Sequence, residues 1–436
     1  MIRKRFVSLS CLLASLLAAP SWAGNGATLH GVGAVNDSMG GAGVALPNDA
    51  LGALDNNPAL LAKLSGHRME FSTEYAKAKN AVESTVSGPG FSVSGRTNED
   101  GKPAVVPAFA WTHHSSTSSV AYGMGFLGLA GFGVDYPQDA SNPILAPQPR
   151  GFGRVFSSYT LLKIPFAFAW QATPTLAVGL AFDAARASLE SDPAGFAAPD
   201  CTVGLGGGTC FVPHVNIDSE FGYGGQVGIL WEVTPAFNIG ASYASKISFS
   251  SFEWNSAHAN PLRADFGTAR RLRFKVDAPA TAIVGIGLKL TPNLQVALDA
   301  KRLAYGDAAG FGGTGFDSQG NANGLGWKNI TVLAAGVEWR PGPKLALRAG
   351  YNRSENPIPD NLTFQNVIAP AIFRNHACLG LGYRLYANLE ANLALYRAFK
   401  NTASGPFLGP TGPVPGTQVK QEMTLDSGVL TFSFRL

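Results

Sequence analysis

The chain has 436 residues and a formal net charge of +4, with charged residues at only 14% against about 25% in a soluble domain. Glycine is abundant at 52 residues and aromatics reach 10%. The small, dispersed charge argues against a nucleic-acid partner, and no run of about 18 apolar residues follows the N-terminal leader, which excludes helical membrane spans.

Residues 1–23 read as a secretory signal peptide: Arg3, Lys4 and Arg5 precede an apolar run from Phe6 to Ala19, and Ser21-Trp22-Ala23 forms a small-x-small cleavage site. Cys11 leaves with it. An exported, charge-poor chain rich in glycine and aromatics fits an outer-membrane β-barrel.

Residues 24–66 are neither strand nor ordinary linker. Small residues dominate (Gly31, Gly33, Gly40, Gly41, Gly43 and Gly52 with interspersed alanines), and the segment closes on a helical start with Asn57 as N-cap and Pro58 in the first position.

From His67 the period is two. Met69, Phe71, Thr73 and Tyr75 alternate with Arg68, Glu70, Ser72 and Glu74, an apolar-out, polar-in stripe. Further stripes follow at Val105–Trp111, Val120–Phe126, Leu162–Trp170, Leu176–Phe182 and Phe221–Trp231. In the last of these the opposite face is Gly222, Gly224, Gln226 and Gly228, as expected of a strand facing a crowded lumen. The remaining strands are expected near 236–249, 274–290, 294–305, 328–339, 344–353, 375–385, 388–399 and 424–436, with Asp277-Ala278-Pro279 interrupting the eighth.

Short connections (the Ser-rich 114–118, Thr173-Pro174, Thr234-Pro235, Thr291-Pro292, Pro341-Gly342-Pro343 and Tyr386-Ala387-Asn388) alternate with long ones at about 78–103, 129–157, 187–217, 250–272, 306–327, 354–374 and 400–422. Short periplasmic turns and long outer loops are the barrel arrangement. Six turns and seven loops imply fourteen strands, so residues 67–436 form an all-β, 14-stranded antiparallel transmembrane barrel. Leu430, Phe432, Phe434 and Leu436 share one face of the last strand, with leucine in place of the usual terminal phenylalanine.

A barrel of this size is wider than one that side chains can fill. The lumen face is poor in charge, so residues 24–66 are expected to fold back inside as a plug, or hatch.

Asn57-Pro58-Ala59-Leu60 at the end of an exported segment resembles the hatch motif of the FadL/TodX family, outer-membrane transporters of long-chain fatty acids and aromatic hydrocarbons. So do Trp327-Lys328-Asn329, Gly336-Val337-Glu338-Trp339, Leu347-Arg348-Ala349-Gly350-Tyr351 and Asn356-Pro357-Ile358-Pro359-Asp360. The resemblance covers essentially the whole chain after the signal. It implies a monomeric plugged barrel whose third strand is kinked, opening the wall sideways so that apolar ligand leaves into the membrane.

Candidate residues follow. Gly123, Gly125 and Gly128 on the third strand would form the lateral opening, with Asn57, Pro58 and Ala59 docked against it; equally, glycine suits any crowded lumen. Leu129, Phe132, Phe152, Phe252 and Trp254, with Leu127, Phe156, Phe249 and Phe266 nearby, would form a hydrophobic capture groove, or else belt residues and small loop cores. Lys163, Lys301 and Arg348 point inward by alternation and would meet a ligand carboxylate, or pair with Asp183, Asp299 and Glu390. Cys201 and Cys210 lie close in a Gly-rich loop, where an oxidising compartment permits a disulfide.

No Gly-x-Ser-x-Gly elbow and no triad grouping supports catalysis, and nothing calls for a cofactor or metal. The expected function is passive uptake of small hydrophobic molecules, with outer-membrane lipid, lipopolysaccharide and the barrel-assembly machinery as surroundings. A general porin for polar solutes and a surface adhesin or receptor are the alternatives.

Overall fold

The computed structural model describes residues 24–203, 208–409 and 411–436. The signal sequence expected at 1–23, Cys11 included, lies outside them.

The described strands close an antiparallel barrel of fourteen, in chain order β1 Gly66–Gly88, β2 Ala104–His114, β3 Val120–Tyr136, β4 Val155–Thr173, β5 Leu176–Asp192, β6 Val215–Thr234, β7 Phe237–Ala244, β8 Thr281–Thr291, β9 Leu294–Leu303, β10 Ile330–Trp339, β11 Leu345–Ser354, β12 Asn375–Tyr386, β13 Leu389–Gly405 and β14 Thr417–Arg435. Neighbours in sequence are neighbours in space, and β1 pairs with β14 from Arg68↔Arg435 to Val86↔Thr417 to close the ring. Closure pairs the first strand with the last, so neither presents a free edge that lipid could not hydrate.

The alternation behaves as its period dictates. On β1, Phe71 and Tyr75 are exposed to the lipid side while Glu70, Ser72 and Glu74 are buried. The expected turns and loops connect these strands. Several stretches expected as loop are strand extensions beyond the membrane: β1 runs to Gly88 and forms a hairpin with Phe91–Asn98, and β14 begins at Thr417. Above the bilayer the outer face no longer needs to be apolar, so the stripe ends before the strand does. The seventh and eighth strands are shorter than expected. Phe252–Ala257 and Ala269–Phe274 leave the wall as a separate ribbon, and β8 starts only after Asp277-Ala278-Pro279.

No residue from Gly24 to Leu64 is exposed. The segment folds into α1 (Gly33–Ser38), α2 (Ala50–Asn56) and a 3-10 turn (Pro58–Lys63), packed inside the ring. Asp49 caps α2 by accepting from Gly52 N, and Asn57 caps the 3-10 turn by accepting from Ala59 N at 3.0 Å. These helices are too short to persist alone; the wall supplies their contacts. Above them the outer loops share an apolar core that includes Tyr136, Phe196, Val212, Phe274, Trp327, Ile368 and Phe373. The motif residues at 327–329 and 356–360 tie these loops together: Lys328 N donates to Pro357 O at 2.8 Å, and Trp327 Nε1 to Asn366 Oδ1 at 2.7 Å.

Candidate functional site: an internal cavity between the N-terminal segment and the wall

The wall holds the N-terminal segment chiefly by its backbone. Asp299 Oδ2 accepts from Gly43 N (2.8 Å) and Val44 N (3.0 Å), and Glu70 Oε2 from Leu51 N (3.1 Å). Each bond to a charged acceptor contributes on the order of 1.5–3 kcal/mol. The wall glycines mark where the backbones meet. A Cβ on Gly350 would lie 2.2 Å from Gly40 N, and one on Gly240 2.2 Å from Val44 O. The glycine-rich lumen face is therefore the imprint of this segment.

The densest polar contacts surround Asp55-Asn56-Asn57. Asn57 Nδ2 donates to Val44 O (2.8 Å) and to Ile229 O of β6 (3.0 Å), while Gln226 Nε2 donates to Asp55 O (3.0 Å). Lys163 on β4 pairs with Asp55 (3.4 Å), Lys301 on β9 donates to Asn56 Oδ1 (3.1 Å), and Ser242 on β7 donates to Asn56 O. Asn57-Pro58-Ala59 seats on β5 and β6, not on β3 as expected. Cβ atoms on Gly228 and Gly179 would fall 1.9 Å from Asn57 Oδ1 and 2.2 Å from Ala59 N. Opposite Gly125 of β3 stands Leu54, whose Cδ1 lies 3.1 Å from the Cβ position of that glycine.

The β2–β3 seam is where the wall departs from regularity. The two strands pair only from Ala108↔Leu127 to His114↔Ala121, while β2 continues to Ala104 on β1 and β3 to Tyr136 on β4. Pro107, which lacks an N–H, comes one residue beyond the last β2–β3 pair, Ala108↔Leu127, and β3 bulges between Gly128 and Ala130. Past the break the N-terminal segment replaces β2: Leu29 N donates to Leu129 O (2.8 Å) and Gly131 N to Ala27 O (2.9 Å). Gly123 and Gly125 lie inside the intact ladder, opposite Thr112 and Ala110, so of the three glycines expected at the opening only Gly128 stands at the break. The signal for this site was Pro107 inside an otherwise regular stripe.

Beside the break lies a cavity of ≈ 100 Å³, bounded by the N-terminal segment (Asn25, Ala27, Thr28, Leu29, Asp55, Asn56) and the walls of β4 to β9. Its lining mixes apolar Leu161, Ile283, Leu303 and Phe311 with polar Lys163, Asp183, Gln226 and Lys301. Tyr305 anchors its lid, donating to Asn25 O (2.7 Å) and accepting from Thr28 N (3.1 Å).

The expected capture residues do not gather in one groove. Leu129 lines the cavity. Phe132 is buried behind it, stacked on Tyr159. Phe152 packs with Phe211 and Phe364, and Phe252 stacks on Trp254 in the outer ribbon; these are cores of the loops, because their surroundings are other loops. Leu127 is buried beneath the N-terminal segment, Phe249 covers Gly222, Arg154 sits over the Phe156 ring, and Phe266 is exposed.

The cations also separate. Lys163 and Lys301 line the cavity, but Arg348 sits at the periplasmic floor with Glu338 (2.6 Å) and Glu390 (3.6 Å). Cys201 and Cys210 face each other in a short ribbon, and Cys210 is disulfide-bonded.

The family model of the outer membrane protein transport protein family (OMPP1/FadL/TodX) matches residues 15–407. Solved structures share the fold. The P. putida toluene transporter TodX aligns at 20% identity and TM-score 0.69 over 94% of this chain and 99% of that one. The Ralstonia pickettii toluene transporter TbuX aligns at 20% and 0.66 over 94% and 99%. A Pseudomonas aeruginosa FadL homologue aligns at 16% and 0.72, again over 94% and 99%. No curated protein matches the chain in sequence.

Proposed function

The chain belongs to the outer membrane protein transport protein family (OMPP1/FadL/TodX), and from that membership we propose that this barrel takes up small hydrophobic molecules passively, through the cavity at the β2–β3 break. Residues 24–66 act as the hatch and residues 67–436 as the wall. Cargo enters beneath the outer loops, rests in the cavity, and leaves sideways into the lipid where β3 has parted from β2. The observation that carries this reading is the exchange of partners at the break. Leu29 and Ala27 stand in for β2 on β3, so one small movement of the N-terminal segment opens both the cavity and the seam.

Lateral exit suits the energetics. Apolar cargo gains roughly 25 cal/mol per Å² on leaving water, so release into the bilayer is downhill, whereas release into the periplasm is not. The like fold of two toluene transporters supports small apolar cargo. The barrel is a single chain in the outer membrane, surrounded by lipid and lipopolysaccharide and delivered by the barrel-assembly machinery.

The test is uptake of labelled toluene into proteoliposomes carrying the protein, run beside single-channel recording. Uptake with little ionic conductance is expected. A large, steady conductance without toluene uptake would establish a porin for polar solutes instead.

A further inference from the structure

We propose that the periplasmic mouth of the barrel is a second binding site, for a phosphate-bearing anion held more tightly as its charge rises. The site shares no lining residue with the cavity at the β2–β3 break, and it does not depend on the uptake reading.

A pocket of ≈ 610 Å³ opens at this end of the barrel, between Pro47-Asn48 of the N-terminal segment and the short turns at Pro235-Ala236 and Thr291-Pro292-Asn293. Ligand pockets commonly span about 300–1,000 Å³. Its lining carries four cationic side chains, Arg68, Lys289, Arg340 and Arg435, against one carboxylate, Glu338. That carboxylate is engaged on both oxygens. Oε1 accepts from Arg340 Nε (2.8 Å) and Gln295 Nε2 (2.9 Å), and Oε2 accepts from Arg348 Nε (2.6 Å). Arg68, Lys289 and Arg435 form no ion pair among the described residues.

The closure of the ring sets this arrangement. Arg68 of β1 and Arg435 of β14 are paired residues across the closing seam. Alternation puts both on the lumen face, two residues from Glu70 and four from Thr431, which are buried. Directly opposed residues have Cβ atoms about 5 Å apart, and like charges so placed repel. Arg68 accordingly lies in the field of Arg435. Glu70, Asp49 and Glu390 also act on Arg68, but each has its own partner. Glu70 accepts from Leu51 N, Asp49 accepts from Gly52 N, and Glu390 meets Arg340 and Arg348. An anion seated between the two arginines relieves a repulsion that no side chain relieves.

Phosphate suits this set. Guanidinium forks match phosphate oxygens with parallel hydrogen bonds, and a lysine adds a point charge. The pocket is open, and Lys289 and Arg435 are exposed, so an occupant reaches them without displacing protein atoms. Three cations without an ion pair favour a multivalent anion over a single carboxylate. The phosphate arrives on a soluble ester of the periplasm or on a lipid headgroup of the adjoining leaflet, and the experiment separates the two.

Inorganic pyrophosphate, inorganic phosphate and acetate are titrated by calorimetry into the full chain in a nonionic detergent and metal-free buffer. Affinity should fall in that order, with pyrophosphate at least about tenfold tighter than acetate. Pyrophosphate binding should also weaken at least about tenfold between 0.01 M and 1 M salt, where the screening length drops from about 30 Å to about 3 Å. Arg435→Gln and, separately, Lys289→Gln should each lower pyrophosphate affinity roughly fivefold, the effect of one charge near contact distance in water. Lys77→Gln, which removes an exposed lysine from the outer half of β1, should leave it within about twofold. Heat-dependent mobility in detergent gels checks that each variant is a folded barrel, and Lys289 keeps the test available if Arg435→Gln fails to assemble.

No pyrophosphate binding at low salt, acetate binding as tight as pyrophosphate, or affinity unchanged in both Arg435→Gln and Lys289→Gln overturns the proposal. Dihexanoyl-phosphatidylglycerol is then added as a competitor. Displacement of pyrophosphate supports the site with a lipid headgroup as its occupant; no displacement supports it with a soluble periplasmic anion.

Discussion

Gly228 of β6 and Asn57 of the N-terminal segment occupy one space: a Cβ on the glycine would stand 1.9 Å from Asn57 Oδ1. The same carboxamide caps the 3-10 turn and holds Val44 O and Ile229 O. Gly228→Val therefore unseats Asn57 without touching the outer face of the barrel. The variant should still show heat-dependent mobility in gels, while single-channel conductance rises. Unchanged conductance would mean that Asn57 does not hold the segment in place.

Asn57→Ala removes the cap, worth about 0.5–2 kcal/mol, and takes the donor from the buried Val44 O, at about 1–3 kcal/mol. The loss is confined to the interior. Hydrogen exchange should accelerate by one to two orders of magnitude at residues 44–60 and not in the ladders of β10 to β14; uniform acceleration would show that the segment and wall unfold as one unit.

The backbone pairing of Ala27 with Gly131 gives a direct test of whether the segment must part from β3. The double variant Ala27→Cys with Gly131→Cys should lose most toluene uptake on oxidation and recover it on reduction, while the parent protein is unaffected by either treatment. Uptake that persists in the cross-linked protein would place the exit elsewhere.

Arg348 is buried with Glu338, Glu390 and Asn392 (2.9 Å to its Oδ1). Arg348→Met leaves buried carboxylates short of a partner, a loss of about 3–5 kcal/mol, moderated because Arg340 also holds Glu338 at 2.8 Å. The unfolding temperature should fall. Uptake of p-toluate and toluene should change in equal proportion, since Arg348 lies outside the cavity. A selective loss of p-toluate uptake would restore Arg348 as a ligand for carboxylates.

Legibility followed the range of the forces involved. Which residues face lipid is a local, period-two property, so Phe71, Tyr75 and the opposing Glu70 and Glu74 could be read directly. Strand ends beyond the bilayer could not, because at Gly88 and Thr417 the solvent on the outer face no longer demands apolar side chains. The loop aromatics were visible as residues but not as a group: Phe152 and Trp254 bury themselves against loops far away in the chain.

The amino-acid sequence by itself determined the barrel, its strand number, its inside and outside, and the presence of a small-residue segment that must lie within. Alternation and turn chemistry act between near neighbours, so they survive in a linear reading. Only the tertiary structure decided that Asn57 rests on Gly228 and not on β3, that the wall parts beside Pro107, and that Lys163 and Lys301 meet Asp55 and Asn56. Those pairings join residues more than a hundred positions apart, and no periodicity carries them. They exist because ring closure brings distant strands around one buried segment, whose polar groups must find their partners there.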